Sequence, residues 1–561
     1  MSIQPYNRGI KPPPNQSPYS SKTGVDVESA GLEAVLNREA AQNSEPSQVP
    51  LASSSMATNT KEEQFSSQEE GDPEASMTIV SFSDGDPENP YNWSSRKKIF
   101  VLIVGIVSVL NSTLGSSLPS EAINYIAKYF HVTNEQQLVL PISLFLVGYV
   151  VGPVVFGSAS EAYGRQIIML GSFIFFTLFT MCCAVAHTWP AFLVFRLLCG
   201  FTASSAIAVV GGLYADIFAD PVIRGRAMAV FMAATTAGPQ LAPVISGFVS
   251  VVTWRWTFWV GLMVAGISLI FLAFLPETYG PTILKKRAKR MRKESGNPNI
   301  VAPIELEKKG VKQMLTVTLV RPLYMFATEA IVLFSCLYLS LAYAIFYLFY
   351  QAYPLIFQGV YHFNTGETGL AFLPIIVGAF GALGIFVFYD GVLQRAKRAN
   401  KRWSSIEEYR RLPLACLGGP LYVVSLFWLG WSANKDVHWI VPILAGLPFG
   451  IAFLLVFMAL LNYIVDAYEI YAASGFAAAS FCRSIFGAVL PLAARRMYTT
   501  LGIAWASSML GFLSLAMCAI PFAFLRYGDR LRANSSFCNE LRARKAELAQ
   551  KRDDERQKPS A

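Results

Sequence analysis

Two arginines interrupt segments of the chain that are otherwise strongly apolar. Arg196 lies about six residues into one segment, and Arg483 lies about ten residues into another. A helix rises 1.5 Å per residue, so Arg483 should lie near the middle of the membrane. An arginine at the centre of a bilayer costs about 2.5–3.5 kcal/mol on insertion scales, so both side chains should face a bundle interior or water. The apolar segments contain only one carboxylate, Glu329.

These arginines must therefore rely on water, backbone carbonyls, hydroxyls or carboxylates at the segment ends. The carboxylates at those ends include Glu121, Asp216 and Asp466. One hypothesis is that the buried charge tunes a group that responds to protons, which makes Arg196, Arg483 and Asp466 candidates for proton coupling. The alternative is that each arginine is a hydrogen-bonding hub between helices.

An aromatic row marks another apolar segment. Tyr343, Tyr347 and Tyr350 recur at helical spacing and share one face. Such a row is either a belt at the lipid headgroups or the wall of a cavity suited to apolar or cationic substrates through cation–π contact. The other candidates for the cavity lining are Asn111, Gln351 and Asn462.

Signatures of enzymes and ATP-driven pumps are missing from the sequence. There is no Gly-x4-Gly-Lys-Ser/Thr phosphate loop. The four histidines are far apart, and neither metal-ligand spacing nor a nucleophile elbow emerges. We therefore expect no catalytic residue, no metal and no cofactor, and an ion gradient as the energy source.

The elements that position these residues are membrane helices. The chain of 561 residues is 53% hydrophobic and only 15% charged, with a mean hydropathy of +0.41. Its apolar residues fall into runs of about 20, the length that crosses a bilayer as a helix. The runs predict an all-α integral membrane protein with twelve spans, at 99–118, 138–156, 167–186, 191–212, 228–250, 256–275, 327–350, 368–389, 412–431, 439–463, 473–494 and 503–525.

The polar intervals divide the chain into five regions. Residues 1–90 lack apolar periodicity and are predicted to be a disordered tail. Residues 91–275 and 327–525 form two six-helix halves, joined by a basic linker at 276–326 and followed by a tail at 526–561. Two halves joined by a basic loop fit the parallel-repeat plan of a large class of transporters.

Loop charge predicts the orientation. With the N-terminus in the cytosol, the cytosolic loops contain 21 Lys and Arg residues and the external loops five. Both tails and the linker should therefore be cytosolic. The net charge of +9 then reflects basic loops rather than a nucleic-acid partner.

The loop between the second and third predicted spans carries a specific motif. Residues 157–166 read Gly-Ser-Ala-Ser-Glu-Ala-Tyr-Gly-Arg-Gln. They resemble the loop signature of the major facilitator superfamily, although the family usually ends it with a basic residue. Arg196 with Gly200 resembles the second motif of that family. Gly238, Pro239, Pro243 and Gly247 resemble its antiporter motif, with Ala242 and Ser246 where Gly is common.

Other segments resemble the twelve-span drug:proton antiporters of fungi. They are residues 86–94 (Asp-Pro-Glu-Asn-Pro-Tyr-Asn-Trp-Ser), Trp254-Arg255-Trp256, residues 276–279 (Pro-Glu-Thr-Tyr), residues 462–468 and residues 483–487. The resemblance implies the major facilitator fold and a gating role for the loop signature, with Gly157, Glu161, Gly164, Arg165 and Asp216 as its residues. Glu161 would face a neighbouring helix N-terminus, or else form a solvated pair with Arg165. The antiporter motif would be a helix kink, a hinge or a close helix seam.

The resemblance implies an exporter of small organic molecules, such as a drug, toxin, polyamine or secondary metabolite, in exchange for protons. A proton-coupled importer of a nutrient or organic acid is the alternative on the same fold. A membrane sensor that does not transport is the alternative from another class. We expect a monomer in the lipid bilayer, in the plasma membrane or alternatively in the vacuolar membrane.

Overall fold

The structure, a computed structural model, describes residues 78–83, 85–306 and 320–557. It is almost entirely helical. The first part contains β1 (Thr78–Ile79), α1 (Ser95–Ser117), α2 (Ile123–Phe130), α3 (Leu140–Tyr163), α4 (Arg165–Val185), α5 (Trp189–Ile217), α6 (Pro221–Val249), α7 (Trp254–Ala273), α8 (Gly280–Ser295), β2 (Ile300–Val301) and α9 (Pro303–Leu306).

The second part contains α10 (Arg321–Thr328), α11 (Ala330–Tyr353), α12 (Thr365–Leu370), α13 (Leu373–Arg398), α14 (Glu408–Ser432), α15 (Ile440–Leu444), α16 (Gly446–Tyr468), α17 (Ala472–Ala533) and α18 (Ser536–Gln557). Eleven helical segments of the described residues are long and apolar enough to cross a membrane. The last of these, α17, has 62 residues and a non-helical Gly502 at φ 76°. Because Gly502 divides the two last predicted spans, the prediction of twelve spans is confirmed.

Close helix contacts hold the first half, α1–α7, together. A β-carbon at Gly200 would lie 2.0 Å from the backbone oxygen of Phe145, so α5 approaches α3 at backbone distance. Small residues permit such contacts in membranes, where van der Waals packing rather than the hydrophobic effect drives helix association. In the second half, α10–α17, α17 packs against α11 and α14, and α16 packs against α13 and α14.

The bundle has two ends, which we name by their residues. The linker end holds the α3–α4 turn at Tyr163–Arg165, the start of α6 at Pro221, and α8. The far end holds α2, the start of α3 at Leu140, and α12. Each span runs from one end to the other, and successive spans run in opposite directions.

The two halves contact each other closely at the far end. The Thr365 hydroxyl donates to the backbone oxygen of Gly247 at 2.9 Å. The Ser143 hydroxyl donates to the backbone oxygen of Ala488 at 2.7 Å. A β-carbon at Gly369 would lie 2.4 Å from the Pro243 oxygen. The far end is therefore closed in this conformation.

The chain before α1 is attached to the linker. β1 pairs in parallel with β2, and Val80 packs with Leu284 and Ala288 of α8. The Arg287 guanidinium lies 2.5 Å from an Asp86 carboxylate oxygen and holds the pKa of that carboxyl below its ordinary value. The predicted disorder of residues 1–90 falls mostly outside the described residues, but residues 78–83 and 85–90 make defined contacts.

Candidate functional site: a seam of tyrosines, hydroxyls and buried charge between the halves

A row of buried tyrosines runs along α11. Tyr343, Tyr347 and Tyr350 are each at most 9% exposed. The ring centroids of Tyr343 and Tyr347 are 4.9 Å apart, and those of Tyr347 and Tyr350 are 5.6 Å apart. The row therefore lies inside the protein in this conformation and forms no belt at the headgroups.

The tyrosine row meets α1 of the first half through hydroxyl groups. The Tyr347 hydroxyl lies 2.8 Å from the Ser116 hydroxyl. In the first half, the Ser112 hydroxyl lies 2.6 Å from that of Tyr149 and donates to the backbone oxygen of Ala203. Hydroxyls of α1 thus connect three helices around one polar seam, which we call the α1–α11 seam.

Arg196 lies inside the first half and is only 2% exposed. Its three guanidinium nitrogens donate to the backbone oxygens of Pro141, Gly115 and Ser116, at 2.8, 2.9 and 2.8 Å. The same guanidinium lies 4.6 Å from the ring centroid of Phe145. Arg196 therefore bridges α5, α1 and α3, and it fixes the backbone that carries Ser116.

Arg483 is 6% exposed but has far fewer partners. Among the described residues, its one hydrogen bond is to the Ser480 hydroxyl of its own helix at 3.4 Å. Its guanidinium lies 5.5 Å from the centroid of Tyr343 and 5.9 Å from that of Phe457. A β-carbon at Gly487, one turn further along α17, would touch both Tyr343 and Leu146 of the first half. Arg483 thus faces the aromatic row near the interface between the halves.

The loop signature forms a charged cluster at the linker end. The Arg165 side chain donates to an Asp216 carboxylate oxygen at 3.3 Å and to the Ser160 hydroxyl at 2.6 Å. Gly164 has φ 103°, a backbone conformation that favours glycine. A β-carbon there would also lie 2.3 Å from a Glu277 oxygen.

Glu277 makes the helix N-terminal contact of this cluster. Its carboxylate accepts from the backbone N–H of Arg165 at 2.9 Å and of Gln166 at 3.3 Å, at the start of α4. A carboxylate there satisfies unpaired N–H groups and the positive end of the helix dipole. Glu161 is exposed in this conformation, and Gly157 has no neighbour within 4 Å of a β-carbon position. The gating role of these two residues stays a prediction.

The antiporter motif lies on α6 and contacts both halves. A β-carbon at Gly238 would lie 2.0 Å from the Thr113 hydroxyl of α1. The backbone oxygen of Pro239 accepts from the Ser117 hydroxyl at 2.6 Å. Further along, Pro243 and Gly247 meet α12 at the far end. Of the predicted alternatives, this arrangement matches a close helix seam.

The predicted polar lining is only partly at the seam. The Asn111 amide donates to the Ser268 hydroxyl of α7 at 3.0 Å, inside the first half. The Asn462 amide donates to the backbone oxygen of Met458 in its own helix at 2.7 Å. Gln351 is partly buried. Asp466 lies apart from the seam, where it accepts from Arg411 at 3.1 Å.

Several residues of the site were not singled out by the sequence, and Ser116 and Gln358 are two of them. Ser116 is one of six buried hydroxyl or amide side chains in α1, which are Ser108, Asn111, Ser112, Thr113, Ser116 and Ser117. That density in a membrane helix was the available signal. Gln358 is the other, and its contact with Glu121 joins positions 237 residues apart, which no local pattern reveals.

Comparisons with known proteins agree with this architecture. The sequence profile of the Major Facilitator Superfamily matches residues 101–491. The chain is 37% identical over 464 residues to polyamine transporter 3 of Saccharomyces cerevisiae, covering 82% of this chain and 73% of that protein. It is 36% identical over 467 residues to the multidrug transporter FLU1 of Candida albicans, covering 82% and 76%.

Solved structures give the same fold. The proton:xylose symporter XylE matches with a TM-score of 0.57 at 15% identity, over 77% of this chain and 97% of XylE. The human organic anion transporter MFSD10 matches with a TM-score of 0.52 at 18% identity, over 76% and 99%. With two helical halves, the loop and antiporter motifs in place and a profile match over most of the chain, this protein belongs to the Major Facilitator Superfamily.

Proposed function

We propose that this protein exports small organic molecules, such as drugs, polyamines or secondary metabolites, in exchange for protons. The observation that carries the proposal is the buried tyrosine row between the halves, with Arg483 against its end. Aromatic faces bind apolar and cationic molecules without demanding one shape. The fungal relatives named as polyamine and multidrug transporters support the same substrate classes.

The proton is the proposed coupling ion. The sequence has no phosphate loop for ATP hydrolysis, and a membrane potential of 100 mV supplies about 2.3 kcal/mol per charge. Arg483 is the favoured coupling candidate because its charge lacks a carboxylate partner among the described residues. Arg196 and Asp466 stay candidates, but their guanidinium and carboxylate groups are already engaged in other contacts.

The linker end is proposed to face the cytosol, with both tails on that side. The excess of Lys and Arg in the loops at this end supports the orientation. At this end the Arg165–Asp216 pair joins the start of α4 to the end of α5, and Glu277, just before α8, accepts from the start of α4. Arg226 reaches Asp390 of the second half at 3.6 Å. We propose that these contacts form the cytosolic gate of a monomer in the plasma membrane, with the vacuolar membrane as the alternative.

Transport by inside-out membrane vesicles tests the proposal. Vesicles energised with an inward-acidic proton gradient should accumulate a fluorescent organic amine, and a protonophore should abolish the accumulation while ATP is present. Accumulation that needs ATP hydrolysis but no gradient would contradict proton exchange. Accumulation driven only by the opposite gradient would identify an importer.

A further inference from the structure

A buried carboxyl group lies at the far end of the α1–α11 seam. Glu121 comes four residues after α1 ends at Ser117, and it is 2% exposed. One carboxylate oxygen accepts from the Gln358 amide at 3.0 Å. The other oxygen is buried and has no hydrogen-bond partner among the described residues.

This contact joins the two halves. Ser116 meets Tyr347 across the seam, and the Glu121–Gln358 hydrogen bond continues the same row towards the far end. Because Glu121 belongs to the first half and Gln358 follows α11 of the second, separation of the halves at this end must break the bond. Separation also brings water to a carboxyl group that is now enclosed.

Among the residues that the structure describes, no positive charge pairs with Glu121 in the closed arrangement. The ionisable side chains on the neighbouring segments are Tyr125, Lys128 and Tyr129 of α2, Arg255 of α7, Cys336, Tyr338, Tyr343, Tyr347, Tyr350 and Tyr353 of α11, Tyr361, His362, and Glu367 of α12. None of these forms a hydrogen bond or ion pair with Glu121, and none perturbs its ionisation; α6 contributes only Arg224 and Arg226, at the linker end. Burial, only partly opposed by the Gln358 hydrogen bond, raises the pKa of the carboxyl from 4.5 to about 8.

We propose that Glu121 is a proton-operated latch, and that the far end closes only when this carboxyl carries a proton. A buried ionised carboxylate without a cationic partner is costly, whereas the neutral acid fits the closed seam. Loss of the proton therefore favours separation of the halves at this end, where water solvates the anion. Within the proposed proton-coupled cycle, on which this role rests, the open far end must take a proton from its own compartment before it closes.

The direction of the pH effect follows from proton linkage. The closed state binds the proton with a pKa of about 8, and the open, hydrated state with an ordinary value near 4.5. Between those values only the closed state keeps the proton, so the open-to-closed ratio should rise about tenfold per pH unit. Below this window both states are protonated, and above it both are ionised, so the ratio should level off.

A cysteine at the far-end interface reports the opening. Ser143 is 4% exposed and contacts Ala488 across the halves, so Ser143→Cys should react with a thiol reagent only when the far end opens. The full-length chain in detergent would be labelled between pH 5 and 8. Rates are divided by those of Thr133→Cys, at an exposed position of the same end, and the unsubstituted chain gives the background from native cysteines.

The normalised rate should rise about tenfold per pH unit until the open state predominates. Adding Glu121→Gln should hold the rate at its low-pH value across the range. Adding Gln358→Ala should raise the rate at every pH and keep the pH dependence. The matched control is Glu135→Gln, which removes another carboxyl at the far end that pairs with Arg495 across the halves at 3.1 Å and should leave the pH dependence intact.

A rate for Ser143→Cys that does not change with pH would overturn the latch, and so would a Glu121→Gln variant that keeps the full dependence. If Glu121→Gln does not fold, the titration of Ser143→Cys alone still decides, because a flat profile excludes the latch. The assay needs neither substrate nor gradient. If labelling does not depend on pH but the protein exports substrate in a proton gradient, only the latch is rejected. If labelling depends on pH through Glu121 but the gradient drives no export, only the proposed function is rejected.

Discussion

The predicted spans contain one buried arginine in each half, Arg196 in the first and Arg483 in the second, and their surroundings differ. Arg196 gives all its guanidinium nitrogens to backbone oxygens of two neighbouring helices. Within the described part of the chain, Arg483 has one long hydrogen bond, to its own helix, and otherwise faces the rings of Tyr343 and Phe457. The same residue type is thus a structural bridge in one half and a weakly bonded charge beside the proposed substrate row in the other.

This difference in bonding suggests separate roles, one arginine in the stability of the fold and the other in transport. A guanidinium that makes a helix-bridging hydrogen bond from each of its three nitrogens cannot move towards a substrate or proton without breaking those helix contacts. A charge held mainly by aromatic faces can change partners while the helices stay in place. We therefore expect substitution of Arg196 to act on folding and substitution of Arg483 to act on transport.

The largest expected effect is that of Arg196→Ala. Hydrogen bonds to charged groups contribute about 1.5–3 kcal/mol each, and three backbone oxygens would lose their donor together. The variant should lose most of its folded yield and melt well below the parent, as measured by fluorescence-detected gel filtration after heating. Arg196→Lys should recover only part of the loss, because an ammonium cannot reproduce the planar fork. If Arg196→Ala melts at the temperature of the parent, Arg196 does not stabilise the fold as proposed.

Arg483→Ala should have a large effect on transport and a small effect on stability. The protein should reach the membrane and melt within a few degrees of the parent, because few contacts are lost. Gradient-driven export should fall at least about tenfold, equivalent to about 1.4 kcal/mol, when vesicle uptake is normalised to protein amount. Export at parental level, or a loss of folded protein as severe as for Arg196→Ala, would show that the two arginines do not differ in this way.

Tyr347→Phe should give an intermediate effect. The substitution removes the hydroxyl contact with Ser116 and keeps the ring, so stability should fall by about 0.5–1.5 kcal/mol. Binding of an organic amine should persist, whereas Tyr347→Ala should weaken it strongly by removing the aromatic face. Equal binding by the alanine variant would place the substrate elsewhere.

The smallest expected effect is that of Asp86→Asn, at an ion pair outside the spans. The folded pKa of Asp86 lies below 3.8 because Arg287 stabilises the carboxylate. The ion pair therefore stabilises the folded state above pH 3.8, and this stabilisation is lost as the pH falls through the lower folded pKa. Limited proteolysis between β1 and α1 should become slightly faster at neutral pH, with export unchanged. A strong loss of export would mean that the segment before α1 has a part in transport.

The fold was largely predictable from the sequence. Twelve apolar runs of membrane length, separated by polar turns, dictate helices because lipid leaves no other way to satisfy the backbone. Interior placement of the two arginines also followed from the cost of a charge in lipid. Their different partners did not follow, because backbone oxygens from other helices leave no trace in the local sequence.

The site was predicted in part. The spacing of Tyr343, Tyr347 and Tyr350 marks one helix face, and the structure buries that face. For Asn111 the sequence indicated a polar side chain but not its direction, which Ser268 on another helix decides. The contact at the start of α4 belongs to Glu277, since helix packing brings the end of the sixth span to that turn.

Countertransport in proteoliposomes tests the central claim most directly. Purified protein would be reconstituted with a pH-sensitive dye inside and a downhill gradient of an organic amine outwards, with no initial pH difference. The account predicts that amine efflux drives protons inward and acidifies the lumen, and that Arg483→Ala, though folded, does neither. Amine efflux without acidification, or with the lumen becoming alkaline, would contradict proton exchange.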